Sequence, residues 1–135
     1  MDTFGKPWTL GMLLILAFAL FGELLVVFDD YIFHRVGINR DALLLTLWTL
    51  PILASYIASY FSKKHKLLTG LSYMILFPLV GTMAHHINGK LGGTVDFVGL
   101  PADIATFKLY FGFGSILVIL GTALGVIFSK RRLEN

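Results

Sequence analysis

The chain has 135 residues, of which 56% are hydrophobic and 14% charged, with a formal net charge of +3. Soluble domains average about 45–50% apolar and about 25% charged residues, so this composition excludes an ordinary water-soluble globule and points to lipid as the solvent. Cysteine is absent, which excludes a disulfide framework, thiolate metal ligation and a cysteine nucleophile.

The first apolar run is Thr9 to Phe28, interrupted only by Glu23. It is too long for a cleaved signal peptide, contains a carboxylate and lacks a small-x-small cleavage site before Asp29. Three further runs follow, Ala42 to Phe61, Leu67 to Ala84 and Leu109 to Phe128, and none of them carries a charge. At about 1.5 Å per residue, about 18–20 residues cross a hydrocarbon core of about 30 Å. The predicted fold is an all-α membrane protein, a four-transmembrane-helix bundle forming a single domain over residues 1–135, with the lipid bilayer as its first partner. The basic residues sit in short clusters beside the apolar runs. That is the pattern of membrane-flanking charge rather than of a nucleic-acid surface, so nucleic acid is excluded as a partner.

Lysine and arginine set the expected orientation. Lys6, Lys63, Lys64, Lys66, Lys130, Arg131 and Arg132 fall on one side, seven in all, against four on the other: Arg35, Arg40, Lys90 and Lys108. The positive-inside rule then predicts an integral protein of a plasma or inner membrane with both termini and the Ser62–Lys66 loop in the cytoplasm. Trp8 and Tyr60 are expected at the inner interface, and Tyr31 and Tyr110 at the outer one. Trp48 does not fit an interfacial belt, because it lies well inside the second run.

Six of the eight carboxylates, all except Asp2 and Glu134, lie in or beside the expected outer half, together with His34, His85 and His86. Two have a simple local role. Asp41 reads as an N-cap or first-turn residue of the second helix, and Pro101 with Asp103 reads as the start of the fourth. Glu23 stands apart. It lies about 7–8 Å inside the outer edge of the first run, where a carboxylate is costly and faces the bundle by default. His85, Lys108 and Tyr110 are its expected neighbours by depth, and a structural pair with Arg35 or Lys108 is the alternative.

The spacing of seven and four puts Glu23, Asp30 and His34 on one face, provided the first helix continues as an α-helix beyond the membrane. Residues Tyr31 to Val36 can be helical, with Gly37 as the stop. The stripe then emerges beside His85 and His86 at the end of the third helix. These five residues are the candidate proton or ligand site. A metal, if bound, is expected on Glu23, Asp30, His34 and His85, because a histidine–carboxylate set suits zinc, iron or manganese; two histidines from separate helices suit haem. No established metal or nucleotide motif accompanies them, and the cofactor stays open, with none also allowed.

Gly114, Gly121 and Gly125 share a face of the fourth helix, and Gly121-x-x-x-Gly125 permits close helix approach. Ala54/Ala58 and Ser55/Ser59 repeat the spacing on the second. These faces either close the bundle or form a homo-oligomer, and a dimer is the expected assembly. Pro51 and Pro78 lie in mid-span and kink their helices. The glycine-rich stretch from His85 to Lys108 contains a weakly alternating segment, Thr94–Val98, readable as a short strand or an interfacial lid. Three functional classes fit: an oligomeric transporter or channel for a small solute or ion, an accessory or assembly subunit of a membrane complex, and a membrane enzyme or redox protein. Catalytic motifs are lacking, so the non-enzyme classes are favoured.

Overall fold

The computed structural model describes residues 5–91 and 99–134. Among these residues the chain forms helices and no strand. Four helical stretches are long and apolar enough to cross a bilayer: Lys6–Val27, Arg40–Phe61, Lys66–Lys90 and Leu100–Glu134. Each apolar run of the sequence therefore becomes one such stretch. The alternating segment 94–98 lies outside the described residues.

Helix α1 (Lys6–Val27) has proline in its first turn, where the missing N–H would have no partner anyway. Beyond Val27 the chain stays coiled but changes its winding. Phe28 makes a turn, and Asp30–Arg35 forms a π-helix. Val36 N–H donates to the Tyr31 carbonyl at 3.0 Å, a five-residue step. Gly37 then ends the element at φ 77°, in the left-handed region that glycine enters without steric cost. The expected stop is there, but the expected α-helical continuation is not.

Helix α2 (Arg40–Phe61) is capped by Asn39, whose side-chain oxygen accepts the Ala42 N–H at 3.0 Å; Asp41 occupies the first turn. The third crossing stretch is two helices, α3 (Lys66–Leu71) and α4 (Tyr73–Lys90), interrupted at Ser72. The Ser72 hydroxyl donates to the Thr69 carbonyl at 2.8 Å and accepts the Trp8 indole N–H at 3.0 Å. The Tyr73 hydroxyl donates to the Trp8 carbonyl. Trp8 thus ties the start of α1 to the break.

Helix α5 (Leu100–Glu134) has 35 residues, about 52 Å at 1.5 Å per residue. It overruns the apolar run Leu109–Phe128 at both ends, because hydropathy marks only the part suited to lipid while helical pairing continues into the flanks. Trp8 meets Ser72, and the Arg132 guanidinium lies 6.0 Å from the centre of the Tyr60 ring. Both described chain ends and the 62–65 turn therefore share one end of the bundle, here the terminal face. The π-helix, the start of α2 and the start of α5 occupy the opposite, loop face.

Helices α1, α2, α5 and α4 form a ring in that order, with α3 packed on α2 and α5; contact between α1 and α4 is the thinnest of the four ring contacts. The α2–α5 seam is the closest. Ala54, Ser55, Ala58 and Ser59 are buried, and Ser55 and Ser59 meet Gly121 and Gly125 respectively. A Cβ on Gly121 would collide with the Ile52 carbonyl and the Ser55 hydroxyl, and one on Gly125 would sit 2.7 Å from the Tyr56 carbonyl. A Cβ on Gly114 would enter the Phe77 ring. The glycine face therefore closes the bundle from within and is not free to meet a second copy.

Above this seam the interior is aromatic. Phe18, Trp48, Phe77 and Tyr110 pack edge to face or tilted, with centroids 5.0–6.2 Å apart, the separations such rings prefer. Tyr110 belongs to this cluster and lies over Gly81, not in an interfacial belt, and Trp48 finds its place here. Large apolar side chains point outward instead, among them Leu45 at 71% and Ile116 at 67% exposure. Small residues at the α2–α5 seam and large apolar ones on the outer surface suit a bundle whose helices associate by close packing within lipid.

Candidate functional site

Glu23 sits on the inward-leaning side of α1, near the loop face, with its side chain 14% exposed. Asn88 on α4 donates from Nδ2 to one carboxylate oxygen at 2.6 Å. His85, one turn earlier on α4, places Nδ1 3.3 Å from the other oxygen. With Glu23 ionised, the contact calls for the imidazole proton on Nδ1, because a carboxylate accepts and does not donate. The spacing of three residues between His85 and Asn88 puts them on one face of α4, and α1 brings Glu23 opposite that face.

Asn88 was not among the residues singled out by the sequence. It carries no charge, and polarity near the end of an apolar run is common. The i, i+3 relation to His85 was the one pattern that could have found it.

The neighbouring His86 points to another helix. Its Nδ1 lies 2.9 Å from Asp103 Oδ2 on α5. Asp103 does stand in the first turn of α5, but it also clamps α4 to α5. Adjacent histidines therefore both engage carboxylates, on helices α1 and α5.

Asp30 and His34 do not join this set. Asp30 pairs with Arg35 at 3.5 Å, and both side chains are largely in the open; His34 is exposed. The stripe assumed about 100° per residue. The π-helix winds through more residues per turn, so a four-residue step does not return to the starting face. Asp29 is held by Arg40 across the turn into α2. Among the described residues, no group of three His, Asp or Glu side chains is placed to share a metal ion. The proposed ligands Glu23, Asp30, His34 and His85 are thus not assembled. The two α4 histidines face different helices.

What the structure does assemble is a groove between α1 and α4, along their thin contact, with a volume of about 540 Å³. Leu16, Leu20 and Leu24 form one wall, Val80, Met83 and Ile87 the other; Glu23 and Asn88 are its polar members. That volume falls within the range of small-ligand sites, about 300–1,000 Å³. An ionised carboxylate has about four lone-pair positions. Asn88 and His85 use two, and the remainder can face a groove otherwise lined with hydrocarbon.

Comparison with known proteins finds no matching family model, no similar curated protein and no similar solved structure. The functional reading therefore rests on this geometry.

Proposed function

We propose that the protein is an integral membrane protein that binds and exchanges a small amphiphile bearing a cationic or hydrogen-bond-donating group, with Glu23 as the recognition residue. The observation that carries this reading is a carboxylate, polarised by an amide and an imidazole, set into an apolar groove that opens sideways between two crossing helices. A ligand enters from the lipid, lays its hydrocarbon along Leu20, Leu24, Met83 and Ile87, and offers its donor to Glu23. A charge-assisted hydrogen bond in such surroundings is about twice as strong as a neutral one.

The seven-to-four distribution of basic residues supports a cytoplasmic terminal face, which puts Glu23 and its groove toward the outer leaflet of a plasma or inner membrane. The aromatic layer of Phe18, Trp48, Phe77 and Tyr110 closes the interior below the site. Exchange then runs between the groove and the outer leaflet. Transport across the whole bilayer requires a second copy or a partner subunit.

The test uses dodecylammonium as probe, with dodecanol and dodecanoate as neutral and anionic counterparts, titrated into protein-loaded and empty nanodiscs. Saturable one-to-one binding of the ammonium is expected, weakened about tenfold or more by Glu23→Gln, the scale of one charged hydrogen bond. Unsaturable partitioning, or equal binding by wild type and Glu23→Gln, would overturn the reading and favour an accessory subunit whose groove receives a partner helix.

A further inference from the structure

A second cavity lies at the terminal face, remote from Glu23. It measures about 480 Å³ and is lined by Tyr60, Ser62, Lys63, Lys66, Ser129 and Arg132, with Phe61 and Leu133 at its edge. Three cations converge on it and no carboxylate lines it. The four ion pairs among the described residues all lie toward the loop face. Lys63, Lys66 and Arg132 have no carboxylate partner among those residues.

The cavity is shaped rather than merely charged. The Lys66 ammonium donates to the Tyr60 carbonyl at 3.1 Å, which holds it at the C-terminal end of α2. The Arg132 guanidinium lies over the Tyr60 ring. Ser62 is 4% exposed and its hydroxyl is already engaged, donating to the Lys64 carbonyl and accepting from Thr69. Ser129 is 5% exposed and lines the same cavity, and its hydroxyl has no protein partner among the described residues. A serine hydroxyl beside three cations that have no carboxylate partner among the described residues fits a tetrahedral oxyanion. At the rim, Phe61 and Leu133 are exposed, so hydrocarbon can continue outward from the bound head.

We propose that this cavity binds the phosphate of an anionic phospholipid headgroup, with Lys63, Lys66, Arg132 and the Ser129 hydroxyl as ligands and the acyl chains running past Phe61 and Leu133. Basic pockets between crossing helices hold such headgroups. The inference is independent of the Glu23 groove. The terminal face carries other cations, notably Lys64 and Lys130, that do not line the cavity, and these supply the control.

The experiment is native mass spectrometry of detergent-purified protein titrated with phosphatidylglycerol or phosphatidylcholine of matched chains, with and without inorganic phosphate as competitor. Phosphatidylglycerol should form a one-to-one adduct with wild type at least tenfold more tightly than phosphatidylcholine. The double variant Lys66→Gln/Arg132→Gln should weaken it about 25-fold, about fivefold for each cation removed. Lys64→Gln/Lys130→Gln removes the same charge from the same face and should leave the adduct nearly unchanged. Ser129→Ala, which retains all the charges, should weaken it severalfold. Equal losses in the two double variants would reduce the effect to general surface attraction and overturn the site. Equal binding of the two lipids would also overturn it, and full displacement by equimolar phosphate would assign the cavity to the free anion instead of the lipid.

Discussion

Alanine at Gly121 should destabilise this protein, although alanine normally improves a helix. Replacing glycine in a helix interior gains about 1 kcal/mol from backbone entropy alone. At Gly121 the new methyl would meet the Ile52 carbonyl and the Ser55 hydroxyl. The hydroxyl can rotate away, but the carbonyl belongs to the backbone of α2, so the two helices must separate. Overpacking of this kind costs about 1–3 kcal/mol and occasionally more, and the close approach makes the upper part of that range appropriate. The net expectation is a loss of about 1–2 kcal/mol. Gly112 supplies the internal reference: it lies on the same helix, and a Cβ there meets nothing within 4 Å. Gly112→Ala should therefore be neutral or stabilising by up to about 1 kcal/mol. Reversible unfolding in SDS, followed by circular dichroism, reads both signs in one assay. Gly121→Ala as stable as Gly112→Ala would refute the buried seam, and a fall in detergent-solubilised mass with unchanged stability would return the glycine face to an intermolecular contact.

Topology is the next expectation: single cysteines at Lys64 and Ile38 should react oppositely with an impermeant thiol reagent applied to intact cells, with Ile38→Cys labelled and Lys64→Cys protected; the reverse pattern would invert the orientation. At the polar cluster, Glu23→Leu should cost about 1–3 kcal/mol, because it strands the Asn88 amide and the His85 imidazole in an apolar groove. Glu23→Gln keeps an acceptor for one of them and should cost less, so equal unfolding midpoints for the two variants would show that these contacts do not hold the helices.

The four long apolar helices were legible because crossing a bilayer would impose one requirement along the whole of each run, and hydropathy measures that requirement directly. Helix ends were less legible from hydropathy, since backbone pairing continues into polar flanks; Pro101 and Asp103 marked the start of α5, but its end at Glu134 lies well beyond the run Leu109–Phe128. The glycine spacing announced a close contact but not its partner, because an identical pattern serves a seam within one chain or between two. Depth alone brought Glu23 and His85 into consideration together, and the structure puts them side by side. The Asp30 and His34 positions failed for a local reason: a change of helical winding after Phe28 leaves no mark in composition. Asp103 shows a further limit, for a residue suited to starting a helix can also pair with the preceding one.

The α2–α5 pair has a mechanical consequence. Glycine contacts bring the two backbones together over Gly121 and Gly125, and α5 runs unbroken from face to face with no proline beyond its first turn. Together they form a stator. The other side of the ring is built differently, since the third crossing stretch is jointed at Ser72 and carries Pro78, and α1 is pinned to that joint through Trp8. The α1–α4 edge, along which the groove opens beside Glu23 and Asn88, is the thinnest contact of the ring, so the polar pair there bridges the two helices where packing contributes least.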